Sequence, residues 1–583
     1  MWKWALWVTG ALLLGIAALV LYQWGRGGHY PSYRASSFAA LSLPVASTPA
    51  TSDPVVQVDA GTLQGTHVGS IIAFRGIPYA RPPVGDLRWQ PPLPPVPWQG
   101  VKEATQPGSA CTQRASGLAP FFAPMAEAYG SSFQQPPVQS SEDCLYLDVW
   151  VPQWPVKQAL PVMVWLHGGS NTVGSGTQST YSGTSLTQRG VLLVTLNYRL
   201  GAMGFFSHPD LTAESSHHSS GNYGLLDQLA ALAWVKRNIA QFGGDPENVT
   251  LFGESAGAID AGRLMASPLS AGLFRRVISE SGPAFEPARS LSEAEAFGRQ
   301  VSALAPADSQ ATDLQRLRRL PASEVEDLVA KAREHSAFDL TAATTDGWVL
   351  TQSPQQAFLN GSIQKVSLLI GINGRELSAF RLSAAAAAKT SGNQNSPAET
   401  GALKKFSAAA HPYFGIWTDA AIVRYFGKIL VSKTAALDQA ANDLIGACPV
   451  GAMANLAYAS GQRVFVYRFE REIPGKGEAE LGAFHSLEVP YVFGSLSDRE
   501  WQWLPSTAED AALSNLIQTY WTNFAKSGDP NAPGLPNWPG WSDAATEFLV
   551  INKDASVSAQ RNFPPIFSHV GVKDLRKSFS APR

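Results

Sequence analysis

Val249-Thr250-Leu251-Phe252-Gly253-Glu254-Ser255-Ala256-Gly257 is the stretch on which the reading of this chain turns. A short β-favouring run leads straight into Gly-x-Ser-x-Gly, and the small residues beyond it open a helical stretch. A sharp strand-to-helix turn of this kind holds its serine in a strained backbone conformation with the hydroxyl exposed at the rim of a sheet. Glycines on both sides remove side chains that would collide across the turn. The pentapeptide alone is weak evidence, because with this Gly and Ser content it arises by chance about 0.4 times in a chain of this length. Its position directly after a buried strand gives it weight, and an ordinary Gly-rich turn is the alternative reading.

Further runs of the same character flank it: Val162 to Leu166, Val191 to Asn197, Ser367 to Ile372 and Val464 to Phe469. Continuous apolar runs suit strands buried on both faces. Between them lie helical patterns, of which Gly224 to Phe242 is the clearest, with Leu225, Leu229, Leu232, Ile239 and Phe242 recurring at spacings near 3.6. Alternating strands and helices predict an α/β fold, a large and mostly parallel central sheet with helices on both faces. In such sheets ligands sit at the carboxyl ends of the strands, where Ser255 falls. Composition agrees: 583 residues with 45% hydrophobic and 15% charged residues can bury a large core. The 44 basic and 46 acidic residues leave a net charge of −2, which gives no global attraction to nucleic acid.

A serine hydroxyl is a poor nucleophile at neutral pH, so the turn has a catalytic meaning only with a base, an acid that orients the base, and donors for an oxyanion. Of the ten histidines, His485 in GAFHSLEVPYVFG follows the strand-like VFVYRF and is the candidate base. A hydrogen-bonded core histidine is the competing reading for such a residue. His167 in WLHGGS is of interest for the exposed backbone of its glycines and not for its imidazole. Glu376, just past the run ending at Ile372, gives the chain order serine, acid, histidine. A solvated carboxylate paired with Arg375 is its alternative.

Several longer motifs then carry a resemblance. FRGIPYARPPVGDLRW (Phe74 to Trp89), SEDCLYLDVW (Ser141 to Trp150), VTLNYRLGAMGF (Val194 to Phe205), GNYGLLDQLAALAWVKRNIAQFGGDPENVTLFGESAGA (Gly221 to Ala258), SPLSAGLFRRVISESG (Ser267 to Gly282) and WTNFAKSGDPN (Trp521 to Asn531) occur in that order. Over about Phe74 to Trp541 the chain resembles the type-B carboxylesterase and cholinesterase-like family of the α/β-hydrolase fold. The resemblance implies a serine esterase acting on small-molecule carboxylic esters, with no metal and no organic cofactor. It implies Ser255 as nucleophile, His485 as general base and later acid, and Glu376 as the orienting carboxylate. Backbone N–H groups of Gly169, Ser170 and Ala256 would form the oxyanion hole. Glu254 and Ser281 match residues supporting the site. Ser170 departs from the family's usual third glycine, which bears on pocket size more than on the backbone donor. Cys111 and Cys144 match the cysteines of the family's first disulfide loop and enclose 32 residues, leaving Cys448 outside it. No tryptophan stands in SSFQQPPVQSSED where cholinesterases carry their choline seat, and Phe133 offers a weaker face, so choline esters are disfavoured. Members that lose the nucleophile serve in adhesion, and others transfer acyl groups or cleave peptides; the complete set of three residues favours the hydrolase.

The amino-terminal region is organised differently. Trp4 to Tyr22 is a 19-residue stretch without charge, with Lys3 before it and Arg26 after. It is long enough to cross a membrane, and residues 1–24 read as a signal anchor or a cleaved signal peptide. Residues 25–54 read as a flexible linker and 55–583 as a single catalytic domain. A disulfide requires an oxidising compartment, which predicts a periplasmic or extracellular location, anchored or secreted. The segments 111–144, 300–345 and 380–460 are expected to shape the pocket, and activity is expected to fall below about pH 6–7 as the base protonates. The acyl and alcohol groups and the oligomeric state are left unspecified by the sequence.

Overall fold

The Val-, Ile- and Leu-rich runs pair side by side into a twelve-stranded sheet. A computed structural model describes residues 33–34, 53–135, 137–286, 289–334, 336, 339–390, 439, 442–542, 545–561 and 563. The strands of this sheet are β1 (Tyr33–Arg34), β2 (Thr66–Val68), β3 (Ile71–Pro78), β4 (Tyr146–Val151), β5 (Leu160–Leu166), β6 (Leu192–Leu196), β7 (Gly244–Glu254), β8 (Arg276–Glu280), β9 (Ser367–Asn373), β10 (Val464–Phe469), β11 (Phe548–Ile551) and β12 (Ser556–Gln560). Their spatial order is β1-β12-β11-β10-β9-β8-β7-β5-β6-β4-β3-β2. From β6 across to β11 every neighbouring pair is parallel. Both flanks are antiparallel, through β4, β3 and β2 on one side and β12 and β1 on the other.

Burial explains why the central runs lack alternation. In β5, Val162, Val164 and Leu166 join the apolar layer on one face, while Met163 and Trp165 join the layer on the other. Helix α2 (Tyr223–Asn238) covers the first face with Leu225, Leu229, Leu232 and Trp234. The carboxyl-terminal helix Ala508–Ser527 covers the second with Leu516, Ile517, Trp521 and Phe524. Each fully buried side chain of this size contributes roughly 1.5–3 kcal/mol relative to exposure, so the layers fix the sheet between them. That last helix is closed at its start by a capping box between Thr507 and Asp510 and at its end by Gly528 at φ 75°.

The expected strands are present, Val464–Phe469 with its predicted ends and the others with shifted ends, most for the run at Val249, which belongs to a strand beginning at Gly244. The expected helix Gly224 to Phe242 starts at Tyr223 and tightens into a 3₁₀ turn over Ile239–Phe242. Within the stretch read as linker, Tyr33–Arg34 pairs with Val557 and Ser556, as an extended dipeptide satisfies the open edge of β12. The apolar segment 4–22 lies outside the described residues. Among the described residues no helix is long and apolar enough to cross a membrane.

Chain order and spatial order disagree at one place that matters. The chain leaves β5, builds β6 on one side of it, and then crosses over to build β7 on the other. The carboxyl ends of β5 and β7 therefore open onto a crevice at a topological switch point, and the segments after both strands face it.

Candidate active site

Strand β7 ends at Glu254 and helix α3 (Ala256–Ala266) begins two residues later, leaving Ser255 alone to make the turn. Its backbone sits at φ 54° and ψ −122°, a conformation side-chain-bearing residues seldom adopt. Both flanking glycines are required by space. A Cβ on Gly257 would lie 2.0 Å from the Leu166 carbonyl oxygen at the end of β5, and one on Gly253 would lie 2.6 Å from the Gly257 backbone. The elbow is held by the Ser255 N–H, which donates to the Glu280 carbonyl at 2.9 Å. Ser255 faces a cavity lined also by Gly168, Gly169, Ser170 and His485.

His485 follows β10 and is buried. Its Nδ1 is hydrogen-bonded to Oε2 of Glu376, three residues past the end of β9 and likewise buried. The other Glu376 oxygen accepts the Asn373 N–H at 2.7 Å. Arg375 does not pair with Glu376; its guanidinium donates to the carbonyls of Ala479 and Glu480. The second imidazole nitrogen, Nε2, lies 3.2 Å from Oε1 of Glu254, which also accepts the Ser486 hydroxyl at 2.6 Å. No hydrogen bond joins the Ser255 hydroxyl to His485, although both line the same cavity. Such bonds often close only around a bound substrate. Burial alone would lower the imidazole pKa, but the carboxylates of Glu254 and Glu376 outweigh it and raise the value to about 9.

The loop after β5 brings the glycines against Ser255. Gly169 has φ 104° and Ser170 φ 55°, a turn that leaves the N–H groups of Gly169, Ser170 and Ala256 without a hydrogen bond to any described residue. Asn171, at φ 54°, anchors the turn: its amide donates to the buried Asp260 at 3.1 Å, and its carbonyl oxygen accepts the Tyr198 hydroxyl at 3.0 Å. The same hydroxyl reaches the His167 carbonyl at 2.7 Å. His167 itself is buried and stacks on Tyr198, and burial lowers its pKa to about 4, so the ring is neutral and structural. No hydrogen bond joins Ser281 to Glu376. Its hydroxyl donates at 2.7 Å to Glu488, a buried carboxylate that also binds Asn373.

A model of the carboxylesterase family matches residues 52–564. The chain belongs to that family. Among its relatives, a fumonisin B1 esterase of Sphingopyxis macrogoltabida is 35% identical over 86% of this chain and 87% of its own length. A para-nitrobenzyl esterase of Bacillus subtilis (strain 168) is 34% identical over 86% of this chain and 96% of its own length. The crystal structure of a carboxylesterase from Geobacillus stearothermophilus superposes with a TM-score of 0.70 at 32% identity, over 87% of this chain and 97% of that one. The protein is therefore a carboxylic-ester hydrolase of the α/β-hydrolase fold.

The pocket walls divide the sequence expectations. The disulfide Cys111–Cys144 is formed, and the loop it closes carries helix α1 (Ala119–Ala128), which sends Phe121 and Phe122 to the cavity beside Phe133. From the segment 380–460, Phe380 on the helix Glu376–Thr390 reaches the cavity and packs 4.9 Å from the His485 ring. Residues 391–438 lie outside the described residues. The segment 300–345 contributes no described lining residue. It folds as the helices Asp313–Arg319 and Ala322–Arg333, whose apolar faces pack into the core layer that also holds α2. Thr180, Glu500 and Trp501 line the cavity without having been singled out in the sequence. Glu500 and Trp501 stand 15 and 16 residues beyond His485 in a stretch with no motif, so only the folded chain brings them in.

Proposed function

We propose that the ester hydrolase works through an acyl-enzyme on Ser255, with His485 as general base and Glu376 as the carboxylate that fixes and stabilises the imidazolium. One observation carries this reading: the imidazole bound through Nδ1 to a buried carboxylate lines the cavity into which the strained elbow presents Ser255. With Nδ1 committed to Glu376, Nε2 is the nitrogen that exchanges protons with the reaction.

The Ser255 oxygen attacks the ester carbonyl carbon while its proton passes to Nε2 of His485. The carbonyl oxygen becomes an oxyanion and takes up the N–H groups of Gly169, Ser170 and Ala256, the last at the amino terminus of α3, where the helix dipole adds to them. The C–O bond to the alcohol then breaks, and His485 returns the proton to the departing alkoxide oxygen. Water repeats the sequence on the acyl-enzyme, restoring the Ser255 hydroxyl and releasing the acid. Glu254, itself fixed by the Ser486 hydroxyl, lies beside Nε2 and stabilises the imidazolium while the oxyanion exists. The supported substrates are small carboxylic esters. The Cys111–Cys144 bond supports action in an oxidising compartment, the periplasm or the cell exterior.

Ser255→Ala is expected to lower kcat for a chromogenic ester by about 10⁴-fold or more, and an organophosphorus reagent is expected to label Ser255 in the unmodified chain. Full activity in the variant overturns the proposal.

A further inference from the structure

The cavity beside Ser255 is electrically one-sided. Its described charged or titratable lining residues other than tyrosine are Glu254, Glu500 and His485, and none is a lysine or arginine. Glu254 is answered within the site by the His485 imidazole and the Ser486 hydroxyl. Glu500 is not answered in the same way. It is 8% exposed, and its Oε2 accepts only neutral donors, the Thr180 hydroxyl at 2.5 Å and the Thr180 N–H at 3.4 Å. Its Oε1 takes no hydrogen bond from a described residue. Four other buried carboxylates among the described residues each face a guanidinium: Asp148 with Arg75, Asp227 with Arg199, Asp260 with Arg263 and Asp510 with Arg471. Glu280, Asp346 and Glu488, which are likewise buried and take no ion pair with a described guanidinium, do not line the cavity.

A carboxylate taken from water without a cation is costly, and burial pushes the pKa of Glu500 up. The position is nevertheless built and not incidental. Thr180 Oγ1 is itself fixed by the Trp501 indole N–H at 3.0 Å, and the Trp503 indole holds the Glu500 carbonyl at 2.9 Å. Trp501 lines the same wall and packs edge-on against Phe122 at 5.3 Å. An unanswered carboxylate beside aromatic walls, reached from the reacting serine through one cavity, fits a ligand that brings the missing positive charge.

We infer that Glu500, with Trp501 beside it, forms a subsite for a cationic group on the ester substrate, so that the enzyme favours basic esters over neutral ones of the same size and discriminates against esters bearing a carboxylate. The inference rests on the esterase reading of Ser255 and adds a substrate class to it. It also revises the expectation drawn from the absence of a tryptophan near Phe133, because the fold supplies an indole from a different part of the chain.

The test compares kcat/KM for isosteric esters in the full chain. On the acyl side these are 4-nitrophenyl 4-(trimethylammonio)butanoate, the uncharged 5,5-dimethylhexanoate and the hemi-ester of glutaric acid. On the alcohol side they are the acetates of 2-(dimethylamino)ethanol and 3-methylbutanol. The native chain is expected to prefer the cationic member of at least one series by about tenfold or more, and E500Q to bring that ratio close to one. Reading a ratio within each enzyme removes any general loss in the variant. Ratios near one in both series of the native chain, or a preference that survives in E500Q, overturn the inference. If E500Q does not fold, calorimetric binding of butyltrimethylammonium against the uncharged 2,2-dimethylhexanol, which matches its carbon frame with one added hydroxyl, to the native chain decides, and equal affinity overturns it. The same binding measured on Ser255→Ala separates the two claims. Cation preference there together with undiminished hydrolysis would fail the serine mechanism alone, whereas abolished hydrolysis in that variant without cation preference fails the subsite alone.

Discussion

Gly169→Ala is the most direct challenge to the proposed oxyanion loop, because the structure supplies both the strain and the collision. Gly169 sits at φ 104°, where a side chain is strained by about 1–3 kcal/mol even in open space. A Cβ there would also lie 2.1 Å from the Val173 carbonyl oxygen, an atom of the loop's own backbone that no rotamer change can move. The Thr172 and Val173 N–H groups bond back to the Gly169 carbonyl at 3.0 and 3.1 Å, so the loop cannot open at this point without losing them. Relief of the contact requires a backbone shift of about an ångström, whereas an oxyanion donor must stand within about 2.7–3.1 Å of its target. One donor is thereby lost, worth about 2.7–4 kcal/mol, or a fall in kcat of about 10²–10³-fold. The assay is initial-rate hydrolysis of a chromogenic ester with circular dichroism to verify folding, and a trifluoromethyl ketone analogue should lose affinity in parallel. Gly272→Ala is the control, since Gly272 has φ 76° with nothing within 4 Å of an added Cβ. A Gly169→Ala enzyme with kcat within about threefold of the native value would refute the assignment.

The acid limb of the kcat/KM profile should have its midpoint above 6.5, because the carboxylates of Glu254 and Glu376 raise the His485 pKa toward about 9 and only the neutral imidazole accepts the serine proton. Removing one of those carboxylates in Glu254→Gln weakens the imidazolium and should move the midpoint down; a midpoint that rises or stays put counts against the arrangement. Replacing Cys111 and Cys144 by serine should cost about 3–4 kcal/mol of stability for a cross-link spanning 33 positions, read as a lower denaturant midpoint. An unchanged midpoint would show that the loop is held by its packing alone.

Much of the site is legible along the chain because its constraints are local. A strand running into Gly-Glu-Ser-Ala-Gly leaves few geometries for Ser255, and the 2.0 Å collision awaiting a Gly257 side chain is the reason the pattern needs glycine. The regular run of buried strands likewise announces the parallel centre of the sheet, since strands covered on both faces cannot alternate. The antiparallel flanks were not legible, because a short apolar run carries no mark of its direction. The partner of Ser281 shows another limit: the residue stands just after β8 in a recognisable motif, but that its hydroxyl donates to Glu488 is set by how the loop after β10 returns.

By itself the sequence determined the elbow at Ser255 and the order of strands and helices along the chain, because turn sterics and burial periodicity act over a few residues; Glu376 and His485 were marked as candidates by the resemblance to the family. Only the tertiary structure decided which nitrogen of His485 meets Glu376, that Glu254 waits at the other, that the helices of 300–345 stay away from the pocket, and that Glu500 and Trp501 form part of its wall. Those outcomes depend on strands distant along the chain ending side by side at one rim of the sheet, where residues with no local pattern become neighbours.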